Sequence, residues 1–323
     1  MTTTSTTGSA GAREFLPAPA GPPSARRRSP RLSLGRRRTI FGYALLTPAI
    51  LFVGVLIAYP LILSVQLSIT PGRFASLNSA GEGITFDHYL TVLTSPETWA
   101  SLLRTGVYVV GTVVPAFAVG LAIALLLREA FPGRRWLRTM ILLPWAVPGV
   151  AASAVFLWMF DASFGVVNKL LMHLGLISQP IAWYADPHTA MFAVIVPTAW
   201  KLFPFFAMIL LAALQTIPGD LYEAARVDGA GRFQQFVHVT WPGVRGAAYI
   251  ALVIASLGVY REFDFIFPLT RGGPNDSTTT LAIGIYQESF QYSNMGFAAA
   301  LGIVSIVIAA VFVLLVGRER RKG

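Results

Sequence analysis

Residues 217–233 read IPGDLYEAARVDGAGRF, and they stand between two long apolar segments. Pro218 and Gly219 end the preceding apolar segment or just follow it. Asp220 is a good N-cap, and Glu223, three residues on, completes a capping-box pattern. Ala224 and Ala225 favour helix, and Gly229 offers a left-handed stop. The spacing predicts a helix of about two turns, too short to be stable alone in water. It needs a surface to dock on. The small side chains at 224 and 225 permit close approach of that surface, and Leu221, Tyr222, Val227 and Phe233 supply apolar contacts. Phe236, Val239 and Trp241 then carry an apolar pattern back towards the next segment. A helix lying on lipid headgroups fits the same periodicity equally well.

The flanking sequence places this helix on a membrane protein. The chain has 323 residues, is 54% hydrophobic and only 12% charged, about half the charged share of a soluble domain. Uncharged runs of 27 residues (41–67), 23 (105–127), 22 (139–160) and 29 (289–317) each exceed the roughly 20 apolar residues that cross a bilayer. Six spans are expected, near 40–68, 102–127, 139–161, 189–214, 244–262 and 294–317. The fourth contains Lys201. The fifth is the weakest, because only 15 residues separate Arg245 from Arg261, so at least one of the two must snorkel or face protein. Pro144, Pro148 and Gly149 predict an irregular or kinked third span.

Basic residues choose the orientation. With the N-terminus inside, the inner side holds Arg13, Arg26, Arg27, Arg28, Arg31 and Arg36 to Arg38 in the leader, and Arg128, Arg134, Arg135 and Arg138 in the 2–3 loop region. It also holds Arg226, Arg232 and Arg245 around the 4–5 loop and four basic residues after the last span. The outer side holds only Arg73, Arg104, Lys169, Arg261 and Arg271. Both termini and the 217–233 helix are therefore expected in the cytoplasm. This placement also explains the net charge of +10 without nucleic acid.

Several chemistries are excluded. There is no cysteine, and His88, His173, His188 and His238 lie far apart, with no metal-ligand spacing. No G-x-x-x-x-G-K-[ST] occurs, so ATP, if used, is hydrolysed on another polypeptide. No catalytic constellation is visible. Residues 1–39 are rich in Ser, Thr, Ala, Pro and Arg and have too little apolar surface to fold. They are expected to be a disordered cytoplasmic tail whose arginines set orientation and face anionic lipid. The leader and the first apolar run are both too long for a signal peptide.

Glu223-Ala224-Ala225, Gly229 and the following Phe-x-x-Val-x-x-Trp-Pro resemble the EAA loop of bacterial ABC importer permeases, in the sugar-importer branch of maltose, lactose and glycerol-phosphate type. Trp200-Lys201-Leu202-Phe203-Pro204-Phe205-Phe206 resembles the Trp-Lys-x-x-Pro-Phe stretch in the fourth span of such permeases. Phe263-Asp264 with Leu269-Thr270-Arg271-Gly272-Gly273-Pro274 resembles the segment after their fifth span, and favours the component like maltose F. Arg271 replaces a common Gly, and Trp241 an aliphatic residue. The resemblance spans roughly residues 40–317 and implies an all-α polytopic fold of six transmembrane helices with a cytoplasmic coupling helix. The implied domains are the tail 1–39, a transmembrane permease domain 40–317 with its coupling loop at 218–242, and a short basic cytoplasmic tail 318–323.

The resemblance also implies the system. Glu223, Ala224, Ala225, Asp228, Gly229 and Phe233 would engage the ATPase, with Phe233 and Phe236 anchoring the helix. The implied partners are a second, different permease, two cytoplasmic ABC ATPase subunits that use ATP and Mg²⁺, and an extracytoplasmic binding protein that delivers a sugar. No cofactor is expected on this chain, which is non-catalytic and lies in the bacterial cell membrane. Along the transport path or its gate the candidates are Trp200, Lys201, Phe205, Phe206, Tyr260, Arg261, Phe263 and Asp264. Each has a structural alternative. Lys201 fits either a polar contact on the path or a hydrogen bond or salt bridge to a neighbouring helix or the sister subunit. Arg261, Glu262 and Asp264 fit either an outer gate network or a solvated helix end, and the aromatics fit either a sugar site or helix packing and lipid belts. A phosphorylated polyol such as glycerol 3-phosphate is the alternative cargo, and would want paired basic groups. An ion-coupled secondary transporter would show inverted repeats, and no clear internal repeat is present.

Overall fold

The computed structural model describes residues 34–72 and 83–320, with side chains for 41–72 and 83–315. Among these residues every regular element is helical. In order they are α1 (Leu34–Ser68), α2 (Asp87–Thr94), α3 (Pro96–Arg128), α4 (Arg134–Ala146), α5 (Gly149–Met159), α6 (Val166–His173) and α7 (Pro187–Leu214). Then follow α8 (Gly219–Val227), α9 (Arg232–Gln235), α10 (Trp241–Tyr260), α11 (Ile266–Thr270), α12 (Leu281–Tyr286) and α13 (Met295–Arg320). By its contacts the chain divides within α1, into residues up to Ile57 and the body from Ala58 onward. The expected tail 1–39 lies outside the described residues as far as 33, and α1 begins at Leu34, inside that expected tail. Residues 321–323 also lie outside.

Among the described residues five helical stretches are long and apolar enough to cross a membrane, and a bent pair, taken as one span, brings the number to six. The core of the body is α3 against α7. Both helices start on a capping side chain followed by proline, the residue best suited to a first turn. Ser95 Oγ accepts from the Thr98 amide (3.4 Å), and an Asp186 carboxylate oxygen accepts from the His188 amide (3.0 Å). The two helices pack closely because Gly120 has no side chain: a Cβ there would lie 2.5 Å from Phe206 Cβ and 2.9 Å from the Ala207 nitrogen. Tyr108 and Thr198 share a hydrogen bond of 2.7 Å between the same helices, both side chains buried. On α10, Ala248, Ala251 and Ala255 are buried in this core, the small-residue packing that lets helices approach where no hydrophobic effect drives them together.

Two spans differ from a simple helix. The third, expected at 139–161, is broken: α4 and α5 meet at 94°. The helix runs through Pro144 and breaks at Val147, whose extended backbone (φ −75°, ψ 130°) is what the following Pro148 demands. The fifth begins well before residue 244. From Arg232 to Tyr260 the backbone is one helical rod, passing through a π-helical turn at Phe236–Thr240 in which the Trp241 amide bonds the Phe236 carbonyl. Helices α2, α6, α11 and α12 lie in connections that the hydropathy pattern left open. The 160–186 connection is organised by buried Asn168, whose amide donates to Ile181 O (2.9 Å) and whose Oδ1 accepts from Trp183 Nε1 (2.9 Å).

Candidate functional site

Two places bring the candidate residues together. The first is α8. Its stop forms as the sequence predicts: Gly229 is left-handed at φ +76°. The Gly229 amide bonds Arg226 O (3.1 Å) and the Ala230 amide bonds Ala225 O (2.9 Å), the two bonds of a Schellman motif. Its start differs from the expected one. The helix begins at Gly219 behind Pro218, and Asp220 lies in the first turn with no side-chain cap bond. The Asp220–Glu223 capping box is therefore absent, because Pro218 occupies the cap position. The Asp220 charge still favours the positive end of the helix dipole. A reciprocal side-chain bond forms instead at the next helix start, where Gln234 Oε1 accepts from the Gly231 amide (2.8 Å).

The faces of α8 are unequal. Glu223, Ala224, Asp228 and Gly229 are exposed, and Ala225 is half-buried. Val227 (86% exposed), Phe233 (77%) and Leu221 (51%) add apolar area beside them. Phe233 is therefore no anchor within this chain, contrary to the expectation, and Phe236 is only half-buried. The anchor is Tyr222, only 8% exposed. The Arg128 guanidinium carbon stands 3.8 Å from its ring centroid, and its hydroxyl hydrogen-bonds Thr240 Oγ1 (3.0 Å). Arg226 and Glu223 approach to 3.9 Å on the exposed surface, a pair worth little in water.

The second place is a cavity of about 390 Å³ beside the break of the third span. It is lined by Trp145 from α4, Thr198, Lys201 and Phe205 from α7, Gly258 from α10, and Arg261 to Phe265. Five of the eight candidate path residues thus meet: Lys201, Phe205, Arg261, Phe263 and Asp264. Phe206 does not face the cavity. It is fully buried against Phe117, ring centroids 5.4 Å apart, where Gly120 admits it. Trp200 stacks edge-on to Phe156 at 5.3 Å, and Tyr260 bonds Ser305 Oγ of α13 (2.8 Å). These three sit in helix packing, which is the structural alternative each carried.

The charges of the cavity are arranged around the break. Lys201 Nζ donates to Val147 O, one of the carbonyls that the broken helix leaves without a partner. Asp264 packs on Gly149 at the start of α5, where a Cβ would meet its side chain at 2.9 Å. A Glu262 carboxylate oxygen accepts from the Asp264 amide (2.9 Å). Among the described residues no ion pair within 4.0 Å joins Lys201 or Arg261 to Glu262 or Asp264. Two basic side chains, Lys201 and Arg261, and two acidic ones, Glu262 and Asp264, therefore line one cavity. Phe263 stacks on Phe267, centroids 4.8 Å apart, so its ring is held in place. Sequence reasoning gave Tyr222 as an apolar contact for a docking surface, and had no signal that it turns inward to meet Arg128 and Thr240, which join it only through the fold. It also missed Val147 as the partner of Lys201, although Pro148 marked the spot.

The pattern of the binding-protein-dependent transport system inner membrane component family matches residues 116–321. The chain is 35% identical over 294 residues to a sulfoquinovosyl glycerol transport system permease protein of Agrobacterium fabrum, covering 88% of this chain and 92% of that one. It is 34% identical over 291 residues to a trehalose/maltose transport system permease protein of Thermococcus litoralis, covering 88% and 96%. Its fold is similar to a chain in the crystal structure of a bacterial ABC transporter involved in the import of the acidic polysaccharide alginate, with a TM-score of 0.76, 26% identity and coverage of 88% and 96%. The family match over residues 116–321 and relatives of 34–35% identity that cover 88% of this chain agree: this protein is a non-catalytic, multi-pass permease subunit of the ABC importers and belongs to the family of binding-protein-dependent inner membrane transport components.

Proposed function

We propose that this permease carries a neutral sugar or oligosaccharide handed to it by an extracytoplasmic binding protein. It works with a second, different permease subunit and with two cytoplasmic ATPase subunits, which hold the ATP and Mg²⁺. Both termini face the cytoplasm. The exposed face of α8, with Glu223, Ala224, Ala225, Asp228 and Gly229, docks on the ATPase, and Phe233 joins it as an exposed apolar contact. ATP-driven closure of the ATPases then shifts the population from inward-facing to outward-facing states through that contact.

The observation that carries the cargo reading is the Lys201 cavity. Its volume, about 390 Å³, falls in the range of small-molecule sites, roughly 300–1,000 Å³. Phe205 and Phe263 offer flat apolar faces, and the balanced set of Lys201, Arg261, Glu262 and Asp264 offers donors and acceptors to hydroxyls. Acidic Glu262 and Asp264 stand beside the two basic groups, so the cavity is not the purely basic pair that a phosphorylated polyol would want. The names of the two relatives above cover a neutral sugar and an anionic one: trehalose/maltose for one, sulfoquinovosyl glycerol, a sulfonate, for the other. Uptake into proteoliposomes holding the whole complex, with ATP on the ATPase side, tests the assignment. Labelled maltose, trehalose, lactose and glycerol 3-phosphate are compared. ATP-dependent uptake of one or more of the disaccharides is expected. Uptake of glycerol 3-phosphate alone would overturn the neutral-sugar reading.

A further inference from the structure

The residue that ties α8 to the body of the permease is not one of its exposed residues. Tyr222 is the neighbour of Glu223 in sequence, yet its side chain turns inward while Glu223 and Ala224 face out. It touches two long helices at once. Arg128, the last residue of α3, lies over the ring at 3.8 Å, a cation–π contact at the helix end where a cation is also favoured by the dipole. The hydroxyl bonds Thr240, the last residue of the π-helical turn that joins α9 to α10. A second contact backs this one: a Cβ on Gly243 would lie 2.6 Å from Ile217 Cδ1, so the chain just before α8 is pressed onto the same rod. From Arg128, α3 runs roughly 30 Å at 1.5 Å per residue to Tyr108. Tyr108 bonds Thr198, which lines the Lys201 cavity.

We propose that Tyr222 is a positioning residue for transport, through which displacement of α8 is delivered to α3 and to the α9–α10 rod, and that it takes no part in ATPase docking. The proposal rests on the reading of α8 as the coupling helix. A buried ring clamped between two helices moves with both of them, whereas an exposed contact can slide. The hydroxyl bond fixes the angle of α8, and the cation–π contact fixes its distance from α3. The π-helical turn is the natural place for the rod to accept this contact, because one extra residue in the turn allows the helix to change register there.

The test uses the complete complex in proteoliposomes, with three readouts: ATPase subunits retained on purification, ATP hydrolysis stimulated by the sugar-loaded binding protein, and disaccharide taken up per ATP hydrolysed. Tyr222→Phe removes only the shared hydrogen bond, and Thr240→Val removes it together with the longer bond that Thr240 Oγ1 donates to Gln235 O (3.4 Å). About a fivefold fall in uptake per ATP is expected from each, the factor that one net hydrogen bond supplies. The double variant should be no worse than Thr240→Val alone, because that variant has already lost the bond to Tyr222. Arg128→Gln should lower the same ratio, and Arg128→Lys, which keeps a cation over the ring, should restore most of it. ATPase retention should stay within about twofold of wild type throughout, since the docking face is untouched. An unchanged uptake-per-ATP ratio in both Tyr222→Phe and Arg128→Gln would overturn the proposal. So would loss of ATPase retention in Tyr222→Phe, which would make Tyr222 a docking contact. Failure of the coupling reading itself has a different signature: full ATPase retention and normal uptake in Gly229→Val, whose change lies on the exposed face.

Discussion

Substitution of Gly229 separates the shape of α8 from the chemistry of its surface. At φ +76° a residue with a Cβ is strained, at a cost of about 1–2 kcal/mol. Around this glycine there is nothing within 4 Å of where a Cβ would sit. Alanine therefore meets no neighbour, and its whole effect comes from the backbone. Asparagine tolerates the left-handed region and should cost little, while valine, β-branched, should cost most. The two stop bonds, Gly229 N to Arg226 O and Ala230 N to Ala225 O, depend on that backbone conformation. The expected order of loss is Asn, then Ala, then Val. If the cost falls on the docking-competent shape, 1–2 kcal/mol corresponds to roughly a 5- to 30-fold weakening of ATPase association. Association is measured by titrating purified ATPase onto the detergent-solubilised permease pair, and thermal stability of that pair is followed in parallel. If Asn and Val weaken association equally, the φ argument is wrong and contact area alone governs the site.

Three other substitutions follow from contacts already described. Gly120→Ala places a Cβ 2.5 Å from Phe206 Cβ and close to backbone, so it should destabilise the α3–α7 core by about 1–3 kcal/mol; a lowered melting midpoint in detergent is the check. Lys201→Met keeps the stem and removes the donor to Val147 O. It should cut uptake about 10- to 100-fold, the factor for a charge-assisted bond of about 1.5–3 kcal/mol, while ATPase retention is unchanged. Tyr108→Phe removes the buried bond to Thr198 and should cost about 1 kcal/mol of stability, read as a shift in the same melting assay.

The membrane class, six hydrophobic segments and the α8 stop were legible because each is local. Apolar run length, basic residues at run ends and a glycine after a short helical stretch all act within a few residues. The kink in the third span was half legible: Pro148 forces Val147 out of the helical region, but the 94° turn depends on what α5 packs against. The start of α8 was misjudged because two signals compete within three residues. Pro218 takes the cap position, which turns Asp220 from a cap into a first-turn charge. Phe233, expected both to engage a partner and to anchor the helix, lies on the exposed side. Side-chain type does not say which way a residue faces when a glycine, Gly231, sets the direction of the next helix. Of the path candidates, Phe206 differs from Phe205 only in helical phase. A one-residue step is 100° of rotation, enough to move a ring from the cavity into the core.

The position of Lys201 is best understood from the carbonyls around it. A helix that ends inside a bilayer leaves carbonyls without partners, where each unsatisfied group costs several kcal/mol. The break at Val147 creates such groups, and a lysine on the adjacent helix supplies a donor. The same arrangement also satisfies the lysine, which would otherwise be an unpaired cation among apolar residues. Each defect thus offsets part of the penalty of the other. Asp264 against Gly149 holds the far side of the same break. Lys201 and Asp264 both line the cavity, so the groups that border the bend are also exposed to it. Lys201→Met should therefore act at the bend and leave α8, the proposed ATPase interface, intact.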